Sequence, residues 1–220
     1  MEIGHNRKRP ISLPISPSLL LSAGKKINDP LARALFFFLY LTGARISEAT
    51  EFSMAKLTMT RDLYIIRLPV LKRRSEFWRN IGREIIIPRG KFAKCHEEQM
   101  ISYVINYAEK FKTKPTEKMF AKWIYHRKGK AYSNMSVYLR RLIKLNIEQY
   151  TPKFDGQWIQ TTKEIELSPH YLRHCRATHL VTYYNLNELH LQKFFEWASS
   201  RMAQRYVKIR DLKDIMCRDR

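Results

Sequence analysis

Between Asp29 and Gly43 lies a stretch that leaves the chain few ways to fold: Pro30-Leu31-Ala32-Arg33-Ala34-Leu35-Phe36-Phe37-Phe38-Leu39-Tyr40-Leu41-Thr42. Asn28, Asp29 and Pro30 supply a cap and a first-turn proline, Ala32, Leu35, Phe36 and Leu39 follow helical spacing, and Gly43 closes the run. A bilayer span needs about 20 apolar residues, and this shorter run carries Arg33, so it reads as a buried helix around which other elements must pack. The chain is therefore expected to be globular. Its 220 residues, 45% of them hydrophobic, suit one large domain or two small ones.

The surface left outside such a core is strongly basic. Lys and Arg number 41 against 20 acidic residues, a formal charge of +21, and that excess implies a polyanionic partner, nucleic acid first. An anionic membrane would attract the same charge, but the basic residues interleave with aromatics and form no single amphipathic stripe, which disfavours it. Cys95, Cys175 and Cys217 are far apart and outside any paired metal spacing, so reduced thiols and no structural zinc are expected. Arg7-Lys8-Arg9 before Ile11 to Ala23 imitates a signal peptide, but Pro14 and Pro17 interrupt the apolar run and argue against secretion.

Met1 to Pro17 reads as a basic, proline-bearing arm, with a short helix from Pro17 to Lys26. Past Gly43, Arg45 opens a turn that Ile46 and Ala49 anchor. Leu63 to Val70 and Arg83 to Pro88 read as strands, joined by the basic tip Leu71-Lys72-Arg73-Arg74-Ser75-Glu76-Phe77-Trp78-Arg79-Asn80. A helix is expected from about His96 to Phe111, with Met100, Tyr103, Val104, Tyr107 and Phe111 on its core face. Lys112 to Lys130 reads as a basic loop region with Phe120, Trp123 and Tyr125. Ser133 then caps a helix through Val137, Leu139, Leu142 and Ile143 that shows Arg140, Arg141 and Lys144 to solvent. Asp155-Gly156 reads as a turn, and Trp158 to Leu167 as a small hairpin.

Beyond residue 167 the residues that carry chemistry concentrate. Ser168 reads as an N-cap and Pro169 as the first helical residue, which places His170 in the positive first turn with Arg173 on the same face. An imidazole and a guanidinium at a helix start, where backbone N–H groups already favour an anion, outline a phosphate clamp. An ordinary basic surface helix would carry the same residues. This helix runs to about Tyr184 and Asn187 to Phe195 forms another. Glu196-Trp197-Ala198-Ser199-Ser200 makes a capped turn, Arg201 to Val207 carries Tyr206, and Asp211 to Cys217 is a short amphipathic tail.

Taken in order, Leu41-Thr42-Gly43-Ala44-Arg45-Ile46-Ser47-Glu48, the basic hairpin with its lysine, His170-Tyr171-Leu172-Arg173-His174-Cys175-Arg176-Ala177-Thr178, and Trp197-Ala198-Ser199-Ser200 followed by Tyr206 resemble the catalytic domain of the tyrosine recombinase and phage integrase family, over about Pro30 to Val207. The resemblance implies a mainly α fold with a small antiparallel β-sheet. It divides the chain into a flexible arm at 1–28, a catalytic domain at 29–210 and a tail at 211–220 that docks on a neighbouring subunit. Arg45 and Arg173 would bind the scissile phosphate, Lys72 would be the hairpin lysine, His170 the first histidine of the second motif, Trp197 the residue at the histidine-or-tryptophan position, and Tyr206 the nucleophile. Glu48 and His174 would support them, and Arg73, Arg74, Arg79, Arg140, Arg141 and Arg176 would meet DNA.

These residue types suit the chemistry. A phenol with a pKa near 10 is a weak nucleophile, and two guanidiniums both spread the charge developing on phosphorus and help the phenolate form, so neither a metal nor another cofactor is expected. Attack by Tyr206 would give a 3′-phosphotyrosyl link and a free 5′-hydroxyl, with Lys72 protonating the leaving oxygen. A second 5′-hydroxyl reverses the step without ATP. Lys72 could equally hold a DNA phosphate with the rest of the tip, and because the tip is longer than is common in the family its role could pass to Arg73, Arg74 or no residue at all. The implied protein is a site-specific recombinase of a mobile element, a homotetramer on two duplex DNA sites in the cytoplasm and nucleoid of a prokaryotic host. A type IB-like topoisomerase and a catalytically silent DNA-binding accessory protein are the alternatives.

Two departures from the family pattern bear on this. Glu196 stands where a glycine usually precedes the histidine or tryptophan. Fewer than about thirty residues precede the first helix of the resembling region, so the family's usual N-terminal DNA-clamping domain is not expected here, whether the chain is a short relative or a fragment.

Overall fold

Asp29 caps helix α2, Pro30–Thr42, by accepting a hydrogen bond from the Leu31 N–H at 2.9 Å, and Gly43 ends it in the left-handed region at φ 55°. In this computed structural model, which describes residues 15–71, 82–121, 144–152, 158–166 and 168–207, and 144–166 by backbone alone, every residue from Ala34 to Leu41 is 0% exposed. A helix that is apolar all round has to be covered all round, and the other elements do this.

Helix α1, Pro17–Lys25, lies against α2, capped by Ser16, whose side chain accepts from the Leu19 N–H. Leu20, Ala23 and Ile27 are buried, and a Cβ on Gly24 would overlap the Phe37 ring. Within residues 1–28, expected as a flexible arm, the described part from Ile15 onward contributes to the core. Helix α3, Ile46–Ala49, follows α2, and then a three-stranded antiparallel sheet of β1 (Leu57–Met59), β2 (Leu63–Leu68) and β3 (Arg83–Pro88) in that order. Ile66 pairs with Ile85 and Tyr64 with Ile87, so the buried faces of β2 and β3 coincide. Strand β1 was not expected, since three residues are too few to carry a period.

Helix α4, Glu97–Lys110, packs along α2 through Met100, Ile101, Val104 and Ala108. Phe111, expected on that face, is 51% exposed because it sits past the last helical turn as the C-cap. Strands β4 (Lys144–Pro152) and β5 (Trp158–Glu166) form an antiparallel hairpin, with Lys144 opposite Glu166 and Pro152 opposite Trp158. Lys144 thus begins a strand, not the exposed end of a helix. The hairpin also takes in residues 144–152, since Ile143, Leu145 and Ile147 alternate and over so short a run either period fits.

Helix α5, Pro169–Tyr184, bridges two apolar clusters. Leu172 and Cys175 join the main core, whereas Ala177, Leu180 and Val181 pack with Leu191, Phe195, Trp197 and Ala203. Helix α6, Glu188–Phe195, is capped by Asn187, and residues 201–207 form α7. No helix among the described residues is long and apolar enough to cross a membrane. The hairpin tip with Lys72, Arg73, Arg74 and Arg79, the segment with Trp123, Tyr125, Ser133, Arg140 and Arg141, the Asp155-Gly156 turn and the tail from Asp211 to Cys217 lie outside the described residues.

Candidate active site

The site grows from the turn that ends α2. Gly43 is left-handed there, and a Cβ at that position would overlap the Phe195 ring, so the position needs glycine on two counts. Two residues on, Arg45 is the N-cap of α3. Its N–H donates to Glu48 Oε2 at 3.0 Å and its Nη1 to Oε1 at 2.7 Å. The Glu48 carboxylate is 2% exposed and the Arg45 side chain 33%, so the acid holds a guanidinium whose outer edge remains open to solvent.

Arg83 enters from the sheet. The sequence marks it only as the start of a strand, yet its side chain is 1% exposed and its Nη2 donates to Glu48 Oε2 at 3.2 Å. The available signal was its phase: Arg83 alternates with the inward residues Ile85 and Ile87.

Helix α5 supplies the next pair. Ser168 accepts from the Tyr171 N–H at 3.1 Å, which sets the helix start. His170 in the first turn is exposed, and Arg173 is 5% exposed. Arg173 donates through Nη1 to the Gly43 carbonyl in a short bond and through Nη2 to the Phe195 carbonyl at 2.9 Å. Its guanidinium lies 4.7 Å from the Phe195 ring and 5.8 Å from Trp197. Burial, with the Arg83 and Arg45 charges beside it, lowers its pKa to about 9 against the pull of Glu48 and Tyr206. It still carries its charge at neutral pH.

The aromatic side of the site is a continuous stack. Trp197 lies on Phe195 at 4.7 Å and on Tyr206 at 5.6 Å, with the Tyr206 and Trp197 rings 9° from parallel. Tyr206 Oη is hydrogen-bonded to His174 Nδ1 at 3.0 Å. Burial raises the phenol above its ordinary pKa while Arg173 and Arg205 pull it down, so at neutral pH it is protonated. Glu196, the residue before Trp197, ends α6 in the left-handed region at φ 49°, a conformation that a glycine adopts without strain.

Arg45, Glu48, Arg173, His174, Trp197 and Tyr206 thus come together, with His170 at the rim of the same helix start. Arg176, expected to meet the DNA backbone, does not reach the surface. Its Nη1 donates to Glu97 Oε1 at 2.8 Å with both side chains 0% exposed. Glu97 also accepts from the Tyr184 hydroxyl at 2.7 Å and, through Oε2, from the Cys95 N–H at 2.7 Å. Arg176 sits on the inner face of α5 over the Tyr40 ring, 5.6 Å away. In sequence, Glu97 is indistinguishable from the acids that commonly favour a helix first turn. Among the described residues no group of three or more His, Cys, Asp or Glu is placed to hold a metal.

Comparison with protein families matches the chain to the phage integrase family over residues 18–213. No curated protein matches it. Among solved structures the fold is similar to XerA recombinase, at a TM-score of 0.57 and 17% identity over 98% of this chain and 68% of that one. It is similar to the XerH site-specific recombinase bound to its difH substrate in a pre-cleavage complex, at 0.58 and 18% over 94% of this chain and 53% of that one. The Tn1549 transposon integrase, in complex with a circular intermediate DNA, is similar at 0.51 and 17% over 95% and 67%. The chain spans about half the length of the XerH protein, and at these identities the likeness concerns the fold.

Proposed function

The chain belongs to the phage integrase family, and from that premise we propose that it is a site-specific recombinase which cuts and rejoins duplex DNA through a 3′-phosphotyrosyl intermediate. One observation carries the reading: Trp197 lies against both the Tyr206 ring, at 5.6 Å, and the Arg173 guanidinium, at 5.8 Å, so a phenol and a buried cation flank the same indole.

In this reaction the Tyr206 oxygen attacks the scissile phosphorus as its proton passes to solvent water, the bond from phosphorus to the 5′-oxygen breaks, and that oxygen takes up a proton to leave as a 5′-hydroxyl. His174 aims the phenol through the bond it already makes. Arg45 offers its open edge to the phosphate, and Arg173 offers the N–H donors that the Gly43 and Phe195 carbonyls leave over. Such preplaced donors act most strongly where charge develops, and removing one costs about 10²–10³ in rate. His170 adds a donor at the rim, and Lys72 or a neighbouring residue of the hairpin tip supplies the proton to the leaving oxygen. The bond energy stays in the protein–DNA ester, so a second 5′-hydroxyl completes strand exchange without ATP. The formal charge of +21 attracts the duplex, with Arg73, Arg74, Arg79, Arg140 and Arg141 as backbone contacts. Four subunits assemble on two sites, residues 211–220 docking on a neighbour, in a prokaryotic cytoplasm.

The test is adduct formation on nicked duplex DNA pools, followed on a denaturing gel. The wild-type chain forms a protein–DNA adduct and Tyr206→Phe forms none. An adduct that survives the substitution places the nucleophile elsewhere, and DNA binding without any adduct favours the silent accessory protein. Relaxation of supercoils with no sequence requirement favours the topoisomerase.

A further inference from the structure

Two arginines from different elements grip the same two segments of chain. Arg173 donates to the carbonyls of Gly43 and Phe195. Arg83 donates to the carbonyls one residue earlier in each segment, through Nη1 to Phe194 at 2.6 Å and through Nη2 to Thr42 at 3.4 Å. The same Nη2 lies 3.2 Å from Glu48 Oε2, and Glu48 holds both the backbone N–H and the guanidinium of Arg45. Within that set the Arg83 and Glu48 side chains are 1% and 2% exposed, whereas Arg45 is 33% exposed.

Arg83 is thus too deep to touch a phosphate that Arg45 meets at the surface. A charge at an inward strand position must be desolvated, and its Nε is buried without a hydrogen-bond partner among the described residues; an apolar residue like Ile85 or Ile87 would avoid both costs. What the apolar residue would not do is hold three acceptors at once. A planar guanidinium presents donors at fixed angles to Glu48 and to two carbonyls, and an ammonium on a flexible stem cannot keep all three in place.

We propose that Arg83 is a positioning residue for the phosphate-binding pair: through Glu48 it sets where Arg45 stands, and through the Thr42 and Phe194 carbonyls it sets the gap into which Arg173 reaches. What that pair binds rests on the function proposed above. The mechanical link does not, and it can be measured separately.

The experiment uses the full chain as wild type, Arg83→Lys and Glu48→Gln, with two readouts. The first is the rate of adduct formation at saturating nicked duplex DNA against the dissociation constant for the same DNA. Arg83→Lys is expected to slow the adduct about 30- to 100-fold, the scale of a small misplacement of reacting groups, while DNA affinity stays within about threefold. The second is nitrogen-15 NMR of the arginine Nη groups, in which the pairing with Glu48 hinders rotation of the Arg45 guanidinium. That hindrance is expected to disappear in both variants. A folded Arg83→Lys protein with hindered Arg45 signals and an adduct rate within about threefold of wild type overturns the proposal. Should Arg83→Lys fail to fold, Glu48→Gln keeps the carbonyl bonds and still decides: free Arg45 rotation and a slowed adduct support the link, and unchanged signals overturn it. If the wild type forms no adduct with any pool, the functional reading has failed, and the Arg45 signals alone decide the role of Arg83.

Discussion

Arg173 and Arg176 stand three residues apart on α5, both buried, and their surroundings are opposite. Arg176 faces a full negative charge: Glu97 at 2.8 Å, with the pair closed off from water. Burial works against both charges, yet the pairing outweighs it, holding Arg176 above its ordinary pKa and Glu97 below the usual carboxylate range. Among the described residues Arg173 donates to two carbonyl oxygens and lies among positive neighbours, and its pKa drops to about 9. Around it, Arg45 and Arg83 both bond to the carboxylate of Glu48. The Arg176–Glu97 pair is neutral in charge, although Arg176 Nε and Nη2 are buried without a hydrogen-bond partner among the described residues. The Arg173 cluster has more positive than negative charge directly bonded within it, the state expected of a site that awaits an anion.

Substitutions at the two positions should therefore separate stability from chemistry. The largest effect is expected from Arg176→Met, which leaves Glu97 charged and unpaired and should cost about 3–5 kcal/mol. At roughly 2–4 °C per kcal/mol for a chain of this size, the thermal midpoint drops by about 6–20 °C in calorimetry. Arg173→Lys comes next and acts on the reaction: adduct formation should fall about 10²–10³-fold, since a lysine cannot serve two carbonyls and a phosphate together. A midpoint loss as large as that of Arg176→Met would erase the distinction between the two positions. Adding Glu97→Leu to Arg176→Met should recover most of the lost stability, because replacing both members of a buried ion pair is often neutral.

Acid sharpens the contrast further. Glu97 has its pKa depressed in the fold, so its stabilisation is complete above the unfolded carboxylate value of about 4.3 and is lost as pH falls below it through the folded value. Denaturant midpoints of the wild type should decline over that acidic range more steeply than those of the Arg176→Met, Glu97→Leu double variant; equal slopes would place the acid sensitivity elsewhere. The smallest effect expected is a gain. Glu196→Gly relieves a left-handed residue at φ 49° and should stabilise by up to about 1 kcal/mol.

Much of this molecule is legible in its sequence because much of it is local physics. Asp29, Pro30 and Gly43 bound α2, Ser168 and Pro169 start α5, and Asn187 starts α6, each through a hydrogen bond or a backbone preference that spans a few residues. The motifs around Arg45, Arg173, Trp197 and Tyr206 are contiguous words, readable before anything is folded. Strand β4 was lost because a short apolar run fits two periods, and β1 because it spans only Leu57 to Met59. The burial of α1 is not legible in the sequence, because basic and proline-bearing neighbours describe an arm better than they describe what Leu20 touches.

The sequence by itself thus determined where α2, α5 and α6 begin, that α2 must lie at the centre, and which side chains have the chemistry to meet a phosphate. Only the tertiary structure decided which arginines remain for that purpose. The sequence sets Arg173 beside His170 and sends Arg176 to another face, but it does not show that Arg176 is buried, because the carboxylate that neutralises it is 79 residues away along the chain. The one that Arg83 shares with Arg45 is 35 residues from Arg83. A buried charge is governed by the groups that share its low-dielectric surroundings, and folding alone selects them.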